Sequence, residues 1–205
     1  DIWIKKILGE TGPFTISDGS LKIGLNSEIT LNSNFDTTIK YNKITHNLEN
    51  LETKLKFLPK ISKLEAKVKN EFNLNFDKTY KVTNYLLKSN GKILNSKLEF
   101  KNQIKNNLLN YKIDKLHFKD VNFKTNIETK KSSTHLEGEY STDDENFLKF
   151  DLNNALKNEI YSAIFKFDYD KDLNFNLINY KKPKNKVANL IIDFKKRKNQ
   201  IKINS

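Results

Sequence analysis

Asp168-Tyr-Asp-Lys-Asp172 sets carboxylates at alternate positions, as a calcium-binding loop does at its start. Leu173 then stands where such a loop needs glycine for its sharp turn, and Asn179 stands where a bidentate glutamate would close the site. The motif therefore fails. Asp143-Asp144-Glu145 is a second carboxylate cluster, but it follows Ser141-Thr142 in a polar connection and reads as a loop of solvated charges. His46, His117 and His135 are far apart and lie among polar neighbours or on a polar strand parity, which reads as solvated histidine. Phosphate-binding glycine loops, a nucleophile elbow and a paired-histidine zinc helix are all missing from the sequence. No Cys is present, so thiol nucleophiles, thiolate metal sites and disulfides are excluded. The expectation is a non-enzymatic chain with no metal and no cofactor.

The net charge of +12 suggests an anionic partner, but 36 of the 37 basic residues are Lys and only Arg197 offers a guanidinium. Base and phosphate recognition draws on that planar fork. The 29 Asn alongside abundant Ile, Leu and Phe fit an AT-rich codon bias, so the lysines read as the solvated face of strands, with no nucleic acid expected. The absence of Met, even at the first position, fits an excised or processed segment of a longer protein. No apolar run approaches the ~18 residues that a membrane-spanning helix needs.

The dominant signal is period two. From Lys63 to Val82 all ten odd positions are polar, and eight of the ten even positions are apolar. A helix would scatter those apolar side chains around its circumference, so the segment is β. Its length calls for a turn near Lys69 to Glu71 or Asp77 to Thr79. The same alternation recurs before and after it, with hairpin turns read at Ser17-Asp18-Gly19-Ser20 and Ser89-Asn90-Gly91, and a break at Pro59. Leu116 and Phe118 are even whereas Val121, Phe123 and Ile127 are odd, so a bulge or turn is required at Lys119-Asp120 to keep one face dry. Residues 153–160 admit a short helix or turn, because Ala155 to Phe167 fits a helical stripe as well as a strand.

The expected architecture is all-β: one long, twisted, mainly antiparallel sheet of about twelve short strands, folded into an open groove and forming a single segment over residues 1–205. Leu64, Val68, Phe72, Leu74, Phe76, Tyr80, Val82, Leu98, Phe100, Leu116, Phe118, Val121 and Phe123 are its candidate groove-lining residues. An apolar trough of this kind suits phospholipid acyl chains. Burial is worth about 0.8 kcal/mol per methylene, so a sixteen-carbon tail gains on the order of 10 kcal/mol as an upper bound.

Phe147-Leu-Lys-Phe-Asp-Leu-Asn-Asn-Ala155, then Asn179-Tyr-Lys-Lys-Pro183, then Val187-Ala-Asn-Leu190, resembles the YhdP-type branch of the AsmA-like envelope proteins, which are related to TamB. Asp151, Leu152 and Ala155 match that family's strand end, Lys181, Lys182 and Pro183 its turn, and Ala188 and Leu190 the following strand. The glycine often found after the lysine turn is replaced by Asn185 or Lys186. The resemblance implies a periplasmic lipid conduit in a Gram-negative envelope, anchored in the inner membrane by a region outside this segment and carrying phospholipid toward the outer membrane. The alternative is a structural β-sandwich or repeat module of a surface or adhesive protein, whose dry face is packed by protein. An outer-membrane barrel fits less well, since its aromatic girdles cannot be traced.

Overall fold

The structure is a computed structural model, and it describes residues 2–4, 9–11, 14–25, 29–42, 60–106, 109–175, 179–184, 186–197 and 200–204. The described residues are all-β and contain no helix. In chain order the strands are β1 (Ile2–Ile4), β2 (Gly9–Thr11), β3 (Phe14–Leu25), β4 (Ile29–Asn42), β5 (Lys60–Phe76), β6 (Val82–Asn106) and β7 (Leu109–Glu128). They continue with β8 (Lys131–Ser141), β9 (Leu148–Lys157), β10 (Ile160–Tyr169), β11 (Leu173–Phe175), β12 (Tyr180–Lys182), β13 (Ala188–Arg197) and β14 (Gln200–Asn204). Twelve form one antiparallel sheet in the order β1-β3-β4-β5-β6-β7-β8-β9-β10-β13-β14, with β2 also pairing β3, while β11 and β12 form a separate two-stranded sheet. No pairing among the described residues joins β14 to β1 or β2, so the sheet is not closed into a barrel.

The strand number matches the expectation, while the central strands of the sheet run long. β6 has 25 residues and β7 has 20. Two stretches read as turns lie inside strands: Ser17-Asp18-Gly19-Ser20 falls within β3, where the pairing with β4 shifts between Ile16 and Asp18, and Ser89-Asn90-Gly91 falls within β6. The reason at Gly91 is steric. A Cβ there would sit 2.1 Å from the Lys67 carbonyl oxygen and 2.9 Å from the Val68 Cα, so glycine serves close strand approach and not a reversal. Pro59 and His46 lie outside the described residues.

The turns that do occur have visible causes. Between β5 and β6, Asp77 Oδ1 accepts hydrogen bonds from Thr79 Oγ1 (2.7 Å) and from the backbone amides of Thr79 (2.7 Å) and Lys81 (3.1 Å). These bonds, the Thr79 hydroxyl first among them, hold its carboxyl below the usual range. Residues 153–157 are strand, and the reversal sits at Asn158 and Glu159, whose φ values of 51° and 63° suit a tight two-residue hairpin.

Register makes one face dry across the sheet. Thr37, Val68, Gly91, Phe123, Leu136, Leu152, Phe165 and Ile192 are successive cross-strand partners from β4 to β13. The slip inferred at Lys119-Asp120 is a β-bulge: pairing with β8 jumps from Lys119 to Asn122, and Asp120 has φ 52°. Irregular pairing between Glu65 and Ala66 falls in the neighbouring strands on the same line. Bulges bend strands and increase twist, and here the extra residues, Leu94 in β6 and Asp120 in β7, lie opposite one another. The inside of the bend carries small or compact residues, with Ala66 3%, Ser96 6% and Val121 1% exposed, and Gly138 leaves room for Val121.

Candidate functional site: an apolar trough

Curling of the sheet encloses a cavity of about 520 Å³ on the dry face. Its walls run from Ile61 and Leu64 on β5, through Ile93 and Leu98 on β6 and Leu116, Phe118 and Val121 on β7, to Phe150 on β9 and Phe165 and Phe167 on β10. A flat sheet would hold β5 and β10 about 24 Å apart over five inter-strand spacings, so curvature alone brings them round one space. Aromatic rings form much of the far wall. Phe150 meets Phe118 (5.5 Å between centroids), Tyr140 (6.2 Å) and Phe165 (6.3 Å) edge-on, and Phe165 stacks on Phe167 at 4.6 Å. Burial raises the Tyr140 phenol above its ordinary value, and its hydroxyl donates to the Asp168 carbonyl at 2.6 Å.

Of the predicted groove residues, Leu64, Leu98, Leu116, Phe118 and Val121 line this cavity. Val68, Phe72, Leu74, Phe76 and Phe123 share its face and are half-buried, but lie farther along the strands. Phe100 is half-buried on β6, beyond Leu98. Tyr80 is not on the face: it occupies the β5–β6 turn with φ 60° and is 77% exposed, because the strand ends at Phe76. Val82 pairs with Phe76 at the strand end and is 51% exposed. The wall from Leu136 to Tyr169 was missed, although Leu148, Phe150 and Leu152, then Phe165 and Phe167, carry the same alternation in sequence.

The dry face is not uniform. Asn70, Ser89, Thr125, Thr134 and Asn154 are consecutive partners from β5 to β9 and form a polar row across it. Most of the row satisfies itself. Ser89 Oγ donates to Asn70 Oδ1 (2.7 Å), Asn70 Nδ2 donates to Thr37 Oγ1 (3.3 Å) and the Phe35 carbonyl (3.4 Å), and Thr125 Oγ1 donates to Thr134 Oγ1 (3.3 Å). It separates the cavity from a second apolar patch built on Phe72, Leu87, Ile127 and Leu156.

At its other end the cavity is lined by Ser141, Thr142, Asn146, Asp170 and Lys171. Asp143 organises the loop: its Oδ1 accepts from the Asn146 amide (3.0 Å), the Glu145 amide (3.1 Å) and Ser141 Oγ (2.8 Å), and its Oδ2 from Lys171 Nζ (2.9 Å). These donors, the Asn146 amide first, hold its carboxyl far below the ordinary range. Asp143 is therefore a fastened loop carboxylate and not a solvated one. His117 is likewise not solvated, since its side chain is 12% exposed and Nδ1 lies 3.1 Å from Asp144, because the loop folds back over it. Lys182, 5% exposed, donates to the carbonyls of Pro183 (3.2 Å) and Lys186, so an ammonium secures the turn that lacks glycine.

On the opposite, polar face His135, Glu137 and Asp151 bring one possible ligand atom each within 4.8 Å of one another. His135 Nε2 is already 2.8 Å from Asp151 Oδ2. That set offers one imidazole and two carboxylates as ligand atoms for a metal ion. No family model, curated protein or solved structure matches this chain.

Proposed function

We propose that the curled apolar face binds the acyl chains of phospholipid, and that the chain is a segment of a periplasmic lipid conduit anchored in the inner membrane by a region elsewhere. One observation carries the reading: the described residues form a twelve-stranded sheet with one dry face, and the only other sheet among them is the two-stranded β11–β12 hairpin. A β-sandwich would need a second sheet of comparable size there. The dry trough favours an extended binding surface over a closed core. The envelope location and the direction of transport rest on the resemblance of residues 147–190.

The polar row refines how such a conduit works. An acyl chain held in the cavity gains from apolar contact on both walls, whereas a chain passing over Asn70, Ser89 and Thr125 meets groups whose hydrogen bonds are already made. The row costs little to cover and offers little to hold, so it separates two resting places. Photocrosslinkers placed at Phe72, Leu74, Leu64 and Phe118 in the full-length protein should capture lipid detectable by mass spectrometry. Phe72→Lys should abolish capture at Leu74, while Lys69→Glu on the polar face should leave it intact. Capture at Lys69 but at none of the four dry positions would overturn the assignment.

A further inference from the structure

We propose that His135, Glu137 and Asp151 form a divalent transition-metal site of the zinc class on the polar face of the sheet. The trough lies on the opposite face, so the site stands or falls apart from the acyl-chain reading. The sheet itself builds the donor set. His135 and Glu137 are two positions apart on β8 and so project from the same face, and Asp151 on β9 is the cross-strand partner of Glu137. One imidazole and two carboxylates thus come from two paired strands, and one ligand atom from each lies within 4.8 Å of the others.

The spacing suits one ion. Zinc binds imidazole nitrogen and carboxylate oxygen at about 2.1 Å, so two donors of a tetrahedral set stand about 3.4 Å apart. His135 Nε2 and Asp151 Oδ2 stand 2.8 Å apart, and an ion replaces the hydrogen between them with a small opening of the pair. A second, independent feature is the support behind the carboxylates. Asn153 Nδ2 donates to Asp151 Oδ1 (2.7 Å), and Asn122 Nδ2 donates to Glu137 Oε1 (3.5 Å). Each amide steadies one oxygen and leaves the other for the ion, as outer hydrogen bonds do for metal-ligating carboxylates. Lys124 and Lys166 are the partners of His135 on β7 and of Asp151 on β10, yet neither makes an ion pair with these carboxylates among the described residues. The imidazole selects the class of ion: nitrogen suits zinc, copper and nickel, whereas calcium and magnesium call for all-oxygen sets. Glu137 and Asp151 also line a cleft of about 500 Å³ on this face, which leaves a further coordination position for water.

The test is isothermal titration calorimetry of the whole chain with zinc chloride, repeated with cobalt(II), whose visible spectrum reports coordination. The expected result is one zinc ion per chain and the intense visible band of four-coordinate cobalt, which zinc abolishes and excess calcium does not. His135→Ala, Glu137→Gln and Asp151→Asn should each weaken zinc binding by at least about tenfold. His117→Ala, at the imidazole that Asp144 engages, should leave it unchanged. Glu137 is exposed, so Glu137→Gln removes a ligand without disturbing the sheet, and an unaltered far-ultraviolet circular dichroism spectrum checks this. Zinc binding that survives both His135→Ala and Glu137→Gln, or that calcium displaces, marks an adventitious ion only and overturns the site. Absence of zinc binding overturns it as well.

Discussion

Phe150→Ala probes the wall of the trough directly. Phe150 is 8% exposed and touches Phe118, Tyr140 and Phe165 edge-on at centroid distances of 5.5, 6.2 and 6.3 Å. Truncating a packed phenylalanine to alanine costs about 3–5 kcal/mol through lost transfer energy and the hole left behind, and each edge contact adds about 0.5–1.5 kcal/mol of specific attraction. The site borders an existing cavity, so water can fill part of the new space and the void term is reduced. The expected loss is therefore near the lower limit, about 3 kcal/mol, or roughly 6–12 °C in Tm for a chain of this size. Urea titration followed by far-ultraviolet circular dichroism would measure it, with Tyr80→Ala as the control. Tyr80 is 77% exposed in a turn, and its truncation should change stability by less than about 0.5 kcal/mol. A Phe150→Ala loss below about 1 kcal/mol, or one equal to that of Tyr80→Ala, would refute the claim that the curled sheet packs its aromatic wall.

Gly91→Ala and Gly138→Ala should each destabilise by about 1–3 kcal/mol in the same assay. The new Cβ would lie 2.1 Å from the Lys67 carbonyl oxygen in the first and 2.7 Å from the Val121 Cα in the second, and backbone cannot swing aside as a side-chain tip can. An increase in stability, as lower unfolded-state entropy alone would give, would disprove the close approach. Asp143→Asn should remove a pH-dependent contribution. The folded carboxyl lies far below its ordinary 3.8, so its stabilisation is complete above that value and is lost as pH falls through the folded value. The urea midpoints of wild type and variant should thus differ by a constant amount above about pH 5 and converge in acid; a gap that widens in acid would reverse the argument.

Much of the fold was legible because the β period is two and local. The alternation from Lys63 to Val82 identified a strand and its dry parity without reference to any partner, and the parity change between Phe118 and Val121 located a bulge that register confirms at Asp120. Local chemistry also located one turn, since Asp77 to Thr79 carries its own hydrogen-bonding groups. It misled at Ser89-Asn90-Gly91, where polar and glycine residues usually mark a reversal. There Ser89 answers Asn70 across the sheet, and Gly91 makes room for β5.

What sequence alone determined, then, is that one face is dry and which residues belong to it. Only the tertiary structure decided which of them face one another across space. Leu64 and Phe165 are about a hundred positions apart and meet one cavity because bulges in β6 and β7 line up and the sheet curls around them. The same curvature leaves Phe72, Leu74 and Phe76 beyond the polar row, while Asp143, Asp170 and Lys171 gather at one end of the cavity. Periodicity records which side of a strand a residue is on. Curvature sums small bends over many strands, and no single segment of sequence carries that sum.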